Sequence, residues 1–288
     1  MTEPVSPPAG VMAIGRSPEE HTGRLIEGSG LVARFLRRFV RWHYFSFIEE
    51  YVPAGSAVLE FGSGGGDRWL SRHYRMTTAE LAFGSASASR ALYGRAVNAN
   101  VAQLPLRASS FDATVSSFVF EHLSVSVAQD GLRELHRVLR PGGVLVCLCD
   151  LECDHPLLAW VRRTSPEGYR DAFIDAPGHF GLRRESEWSA LLRDAGFVID
   201  RWELMTRSPF LDHGPLCNLA ASNALPPWIR FAGWVAYRLS RVPRVAAVWS
   251  LAVIATDDAV RWLLPSRWAY RLLLVARRAV VEPDGGRT

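Results

Sequence analysis

The chain has 288 residues, 48% hydrophobic and 22% charged, enough for one large domain or a domain with a substantial insertion. All 33 basic side chains are arginine, and the absence of lysine excludes Schiff-base catalysis and a Walker-type phosphate loop. A formal net charge of +4 gives nucleic acid little support as a partner.

Met1 to Gly15 is rich in Pro, Ala and Gly and lacks the basic start and apolar run of a secretory leader. Residues 1–28 read as a disordered lead-in. Gly30 to Tyr51 has an amphipathic helical period, with Val32, Phe35, Leu36, Phe39 and His43 on one face. Arg34, Arg37, Arg38 and Arg41 fall on the other, as a solvated face or a contact for anionic lipid or an acidic substrate. Pro53-Ala54-Gly55 ends it. Trp42 and Tyr44 stand where they can close over a ligand.

Ser56–Phe61 is the first strand, and its exit, Glu60-Phe61-Gly62-Ser63-Gly64-Gly65-Gly66, is the richest motif of the chain. Glycines in a strand-to-helix turn permit positive φ and close approach of a ligand. The acid before them accepts hydrogen bonds and repels phosphate. In the dinucleotide fingerprint the third glycine would fall at position 67, which holds Asp67, so a nicotinamide oxidoreductase is disfavoured. The pattern acid-x-Gly-x-Gly-x-Gly instead matches at 60, 62, 64 and 66.

Strands and helices then alternate. Asp67–His73 is a helix, Met76–Leu81 a strand, Ser85–Tyr93 a helix, Arg95–Val101 a weak strand and Phe111–Ser117 a fourth. Val127–Arg140 is a helix ended by Pro141-Gly142-Gly143, and Val144–Cys149 is an apolar strand of the kind covered on both faces. The alternation predicts an α/β fold, a doubly wound and mostly parallel sheet. Cys147 and Cys149 read as core residues, and no metal site is expected from Cys147, Cys149, Cys153 and His155. The cysteine usage fits a reduced, cytoplasmic setting.

Leu151 to Arg184 is a long connection, functional or partly helical. Glu185–Ala195 is helical, Phe197–Leu204 a strand and Arg271–Val281 the last. Met205–Tyr270 is rich in Trp, Pro, Leu and Arg. It reads as an inserted helical cap, with membrane-surface attachment as the alternative; its run Val245–Ala255 is too short to cross a bilayer. The expected organisation is a core with its N-terminal helix over 29–204, a cap over 205–270, a returning strand over 271–281 and a tail over 282–288.

Five blocks in order, the glycine turn, Gln103-Leu104-Pro105-Leu106, Ser110-Phe111-Asp112, Phe120-Glu121-His122-Leu123 and Glu134 to Gly143, resemble the class I S-adenosylmethionine-dependent methyltransferases. The likeness is to the domain typified by quinone-biosynthesis and related small-molecule enzymes, and it covers about Ser56 to Asp150. It implies a Rossmann-like seven-stranded sheet, S-adenosylmethionine as cofactor and a small-molecule acceptor methylated at oxygen, nitrogen or an activated carbon. It places Glu60, Gly62, Gly64 and Gly66 near the methionine end of that cofactor and Glu80 at its ribose. Asn100 stands where the family commonly has an Asp toward the adenine, lined by Val101 and Ala102. Ser117 and Phe118 lie under the methionine portion. Ligands of such sheets bind beyond the carboxyl ends of the strands. Histidine is the natural base near neutral pH, so His122, His155 and His179 are the catalytic candidates, each with an orienting or packing role as its alternative. Arg162, Arg163, Arg183 and Arg184 attract an anionic acceptor or belong to a solvated loop. A binding protein without catalysis is the alternative function, and the oligomeric state is left open.

Overall fold

The computed structural model describes residues 43–209 and 213–280. In chain order these form α1 (His43–Tyr51), β1 (Ala57–Phe61), α2 (Arg68–His73), β2 (Arg75–Glu80), α3 (Phe83–Tyr93), β3 (Ala96–Asn98), β4 (Phe111–Ser117), α4 (Val125–Val138) and β5 (Leu139–Asp150). They continue with α5 (Pro156–Thr164), α6 (Pro166–Arg170), α7 (Glu185–Asp194), β6 (Phe197–Met205), α8 (His213–Asn218), α9 (Pro227–Ser240), α10 (Pro243–Val260) and β7 (Arg271–Arg278). The expected lead-in, the arginine face of the first helix, Trp42 and the tail fall outside the described residues.

Local chemistry sets the boundaries. The side chain of Asp67 accepts from the backbone N–H groups of Trp69 (2.7 Å) and Leu70 (3.0 Å) and caps α2. Gly94 ends α3 with φ of 75°. Ser124 caps α4, whose Ala128, Leu132, Leu135 and Val138 form the buried stripe. Pro141 disfavours helix at the preceding residue, and the chain passes directly into β5, earlier than its apolar run indicates.

The sheet has the order β3-β2-β1-β4-β5-β7-β6. β1 to β5 pair in parallel, whereas β7 lies antiparallel between β5 and β6. This is the α/β sheet the alternation predicts. Its strand order reverses at the β1–β4 junction, where ligands of open sheets bind. Side chains alternate between two cores. Leu145, Cys147 and Cys149 face α4 and Trp188 of α7, while Val144, Val146 and Leu148 face Phe47 and Ile48 of α1. The two cysteines are free and buried, as expected of core residues.

The chain divides into two compact units. One contains the sheet and its helices. The other combines Asp154–His179 with Thr206–Trp268, so the long connection after β5 groups with the inserted segment rather than with residues 29–204. Within this helical unit the buried carboxylate of Asp257 accepts from the N–H groups of Thr206, Arg207 and Ser208 at 2.6–2.9 Å. Asp150 of β5 and Met205 of β6 both lie opposite Arg271, the first residue of β7.

Candidate active site

The turn after β1 carries consecutive glycines in the left-handed region, with φ of 69° at Gly62, 61° at Gly64, 136° at Gly65 and 83° at Gly66. The reasons for glycine differ along it. A Cβ at Gly62 would stand 2.4 Å from Val119 Cγ2, and one at Gly66 2.9 Å from Tyr93 Cζ. Those two positions are closed by the protein's own side chains, which corrects the expectation that all three alternating glycines open toward a ligand. A Cβ at Gly64 or Gly65 would meet nothing within 4 Å. Asp67 occupies the N-terminus of α2, where a pyrophosphate would need to sit.

Glu60 is buried at the carboxyl end of β1. The Tyr93 hydroxyl donates to its Oε2 (2.5 Å) and accepts from the N–H of Asp67 (2.5 Å), bridging the two sides of the turn. Burial raises the Glu60 carboxyl to about 8, against the lowering effect of the Tyr93 hydrogen bond. A buried acid of this kind favours a positive charge beside it. Tyr44 does not stand open as a cover: its ring is buried, its hydroxyl meets no hydrogen-bond partner among the described residues, and burial followed by Glu60 raises its pKa.

Glu80 closes β2. One carboxylate oxygen accepts from the Ser63 hydroxyl, the Gly64 N–H (3.1 Å) and the Thr78 hydroxyl (3.2 Å). The expected ribose acid is thereby held against the glycine turn. Asn100 is exposed, and its side-chain oxygen accepts from the Ala102 N–H (3.0 Å), forming a local turn. Val101 is buried against Gly131 of α4, and Ala102 is half-buried.

Ser117 and Phe118 lie at the end of β4. Phe118 adopts φ of 55°, a strained conformation for a bulky residue and one that concentrates at functional sites. The Arg271 guanidinium lies 5.1 Å from its ring centroid and 3.3 Å from Asp150 in a buried ion pair. Glu121 follows on the one-turn helix Phe120–His122. Both its carboxylate oxygens are buried and meet no well-formed hydrogen bond among the described residues. Burial first, and the charge of Asp150 second, push its carboxyl well above the usual range. His122 beside it is exposed. Arg183 donates to the carbonyls of Phe120 (3.0 Å), Gly181 (2.7 Å) and Leu123 (2.7 Å), so it braces this helix. The solvated-loop expectation for Arg183 is corrected by this burial. Sequence reading quoted Glu121 only as a motif letter and gave Asp150 and Arg271 no role; a charge at the edge of an apolar strand was the available signal.

The remaining histidines belong to the helical unit. His155 is buried, with Nε2 2.9 Å from the Ser208 carbonyl oxygen, and burial lowers its pKa. His179 is also buried. Only His122 of the three candidates lies on the sheet-bearing unit. Other motif letters act as clamps. Glu134 accepts from the Leu104 N–H (2.8 Å) and pairs with Arg137, which donates to the carbonyls of Leu104 and Leu106. Asp112 accepts from the Ala57 N–H (2.8 Å) and from Arg140.

Residues 59–147 match the family model described as a methyltransferase domain. Over 133 residues the chain is 29% identical to an uncharacterized methyltransferase of Bacillus subtilis (strain 168), covering 46% of this chain and 51% of that protein. Over 115 residues it is 35% identical to the ubiquinone/menaquinone biosynthesis C-methyltransferase of Rhizobium meliloti (strain 1021), covering 35% of this chain and 43% of that one. The chain thus spans about half the length of the curated relatives it matches. Its fold is shared with the geranyl diphosphate C-methyltransferase of Streptomyces coelicolor A3(2), at a TM-score of 0.51, 14% identity and coverage of 89% and 84% of the two chains. Over residues 59–147 the chain is thus similar to the methyltransferase domain family.

Proposed function

We propose that the protein transfers the methyl group of S-adenosylmethionine to a small-molecule acceptor. The observation that carries this reading is the turn after β1, where the buried Glu60 precedes a glycine turn whose position 64 leaves its Cβ space open. A buried acid suits a sulfonium or ammonium group, and a pyrophosphate is disfavoured by the Asp67 cap. The bound cofactor supplies the electrophilic methyl carbon and a thioether leaving group. The chain's own residues position the reactants. Gly64 and Gly65 admit the amino-acid end, Glu60 offsets its charge, and Glu80 stands at the ribose. Ser117 and Phe118 floor the reacting end. His122, exposed beyond β4, takes or orients the acceptor proton. The quinone-biosynthesis name of one relative supports a small-molecule acceptor, reached at carbon, oxygen or nitrogen.

Calorimetry with S-adenosylmethionine and S-adenosylhomocysteine tests the reading. Micromolar binding of both is expected; failure of both to bind at high micromolar concentration overturns it. A His122→Ala variant that keeps cofactor affinity but loses turnover places this histidine at the acceptor.

A further inference from the structure

Helix α9 is predominantly apolar, and among the described residues only one side of it is covered. Ile229, Gly233, Ala236 and Ser240 form the buried stripe, at intervals of four, three and four residues. The opposite side carries Trp228 (65% exposed), Phe231 (63%) and Trp234 (47%). Phe231 and Trp234 stack at 5.8 Å between centroids, and Trp160 of α5 adjoins Trp228 at 5.9 Å. An aromatic face of this kind is an interaction surface rather than scattered surface apolarity.

Charge identifies the occupant. From His213 to Thr256 the chain has no acidic residue and four arginines: Arg230, Arg238, Arg241 and Arg244. Arg238, Arg241 and Arg244 are exposed and follow the aromatic cluster at three-residue steps. Arg238 lies over the Trp234 ring (5.5 Å to the centroid) and Arg241 over Tyr237 (5.8 Å). Among the described residues no single helix is long and apolar enough to cross a membrane, and the α9–α10 pair bends by 110°. Tryptophan and arginine side by side suit the boundary between lipid headgroups and acyl chains, with indoles at headgroup depth and guanidinium groups on phosphate.

We propose that this face of α9 docks on an anionic lipid surface. The aromatic side chains enter the headgroup layer, and Arg238, Arg241 and Arg244 sit on lipid phosphates. The docking is independent of the methyltransferase reading, because it uses no residue assigned to the cofactor.

Co-sedimentation of the full chain with vesicles tests it, using phosphatidylcholine alone and phosphatidylcholine containing phosphatidylglycerol. The protein is expected to pellet with the anionic vesicles about tenfold more than with the neutral ones, and less as salt rises. Trp228→Ser/Phe231→Ser/Trp234→Ser should lose vesicle binding while keeping the thermal midpoint and cofactor calorimetry of the parent. Arg238→Gln/Arg241→Gln should lower partition by about fivefold per arginine. Wild-type protein that stays in the supernatant with anionic vesicles overturns the proposal, as does an aromatic triple variant that pellets like the parent. A vesicle-free dimer that the triple variant breaks assigns the face to a second copy and also overturns it. Loss of cofactor binding with vesicle binding intact would count against the methyltransferase reading alone.

Discussion

The carboxyl ends of β1 and β2 and those of β4 and β5 both bury carboxylates, but they treat them differently. Beyond β1 and β2 the protein supplies the donors: Tyr93 serves Glu60, while Ser63, Thr78 and the Gly64 N–H serve Glu80. Beyond β4 neither oxygen of Glu121 meets a well-formed hydrogen bond among the described residues, and Arg271 pairs with Asp150. The first arrangement satisfies its buried carboxylates from within the protein. The second keeps a costly buried group at the other end of the sheet.

The largest effect tests the first end. Gly64→Val should lower affinity for S-adenosylmethionine by at least about a hundredfold, near 2.7 kcal/mol, while calorimetric unfolding shows only the strain of a positive φ, about 1–2 kcal/mol. Gly62→Val should behave oppositely: its Cβ would overlap Val119, so the unfolding midpoint falls even without ligand. Equal stability losses in the two variants would erase the distinction between open and closed glycines.

The next effect concerns protons. Glu60 binds a proton more tightly folded than unfolded, so the stability it contributes is full below about 4.5 and is lost as pH rises toward about 8. The slope approaches about 1.4 kcal/mol per pH unit where the folded form alone is protonated. Glu60→Gln should flatten this part of the pH–stability curve. Binding of cationic S-adenosylmethionine at pH 7 should release protons from the parent and fewer from the variant, read by calorimetry in buffers of different ionisation enthalpy. Glu121→Gln should likewise gain stability relative to the parent as pH rises above the ordinary glutamate range, because the folded carboxyl of the parent is raised as well. If it loses stability there, Glu121 has donors in solution and the contrast between the two ends fails.

Smaller still, Tyr93→Phe removes the donor to Glu60 and the acceptor for the Asp67 N–H. A loss of about 1–3 kcal/mol in chemical denaturation is expected. Asn100→Ala should change cofactor affinity least, by about fivefold, since the Asn100 side chain already serves its own turn through Ala102.

The sheet was legible because burial on both faces leaves apolar runs and glycine turns in the sequence. β4 was bounded correctly as Phe111–Ser117. β5 begins earlier than expected because Leu139 pairs with Phe111, and Arg140 to Gly143 form an irregularity before the register resumes at Val144 opposite Ala113. The glycine turn was visible as a pattern, but the reasons for Gly62 and Gly66 were not, since Val119 and Tyr93 reach them from distant positions. The roles of the candidate histidines were least legible. His155 sits in an apolar setting that pairs it with Ser208, 53 residues away, and nothing local announces such a partner. Motif letters such as Glu134 and Asp112, given no role by the sequence, are architectural, because the backbone N–H groups of Leu104 and Ala57 need partners.

One row of the sheet has a wider consequence. Asp150, Met205 and Arg271 stand side by side, and the chain leaves the β-structure and returns to it across them. Such a row acts as a splice junction, where segments of unequal length can be exchanged without disturbing strand register. Closing a longer excursion is cheap, about 0.6 kcal/mol for each doubling. Recognisable ancestry should therefore persist up to this junction and dissolve past it, and the family-model match to the methyltransferase domain stops at residue 147.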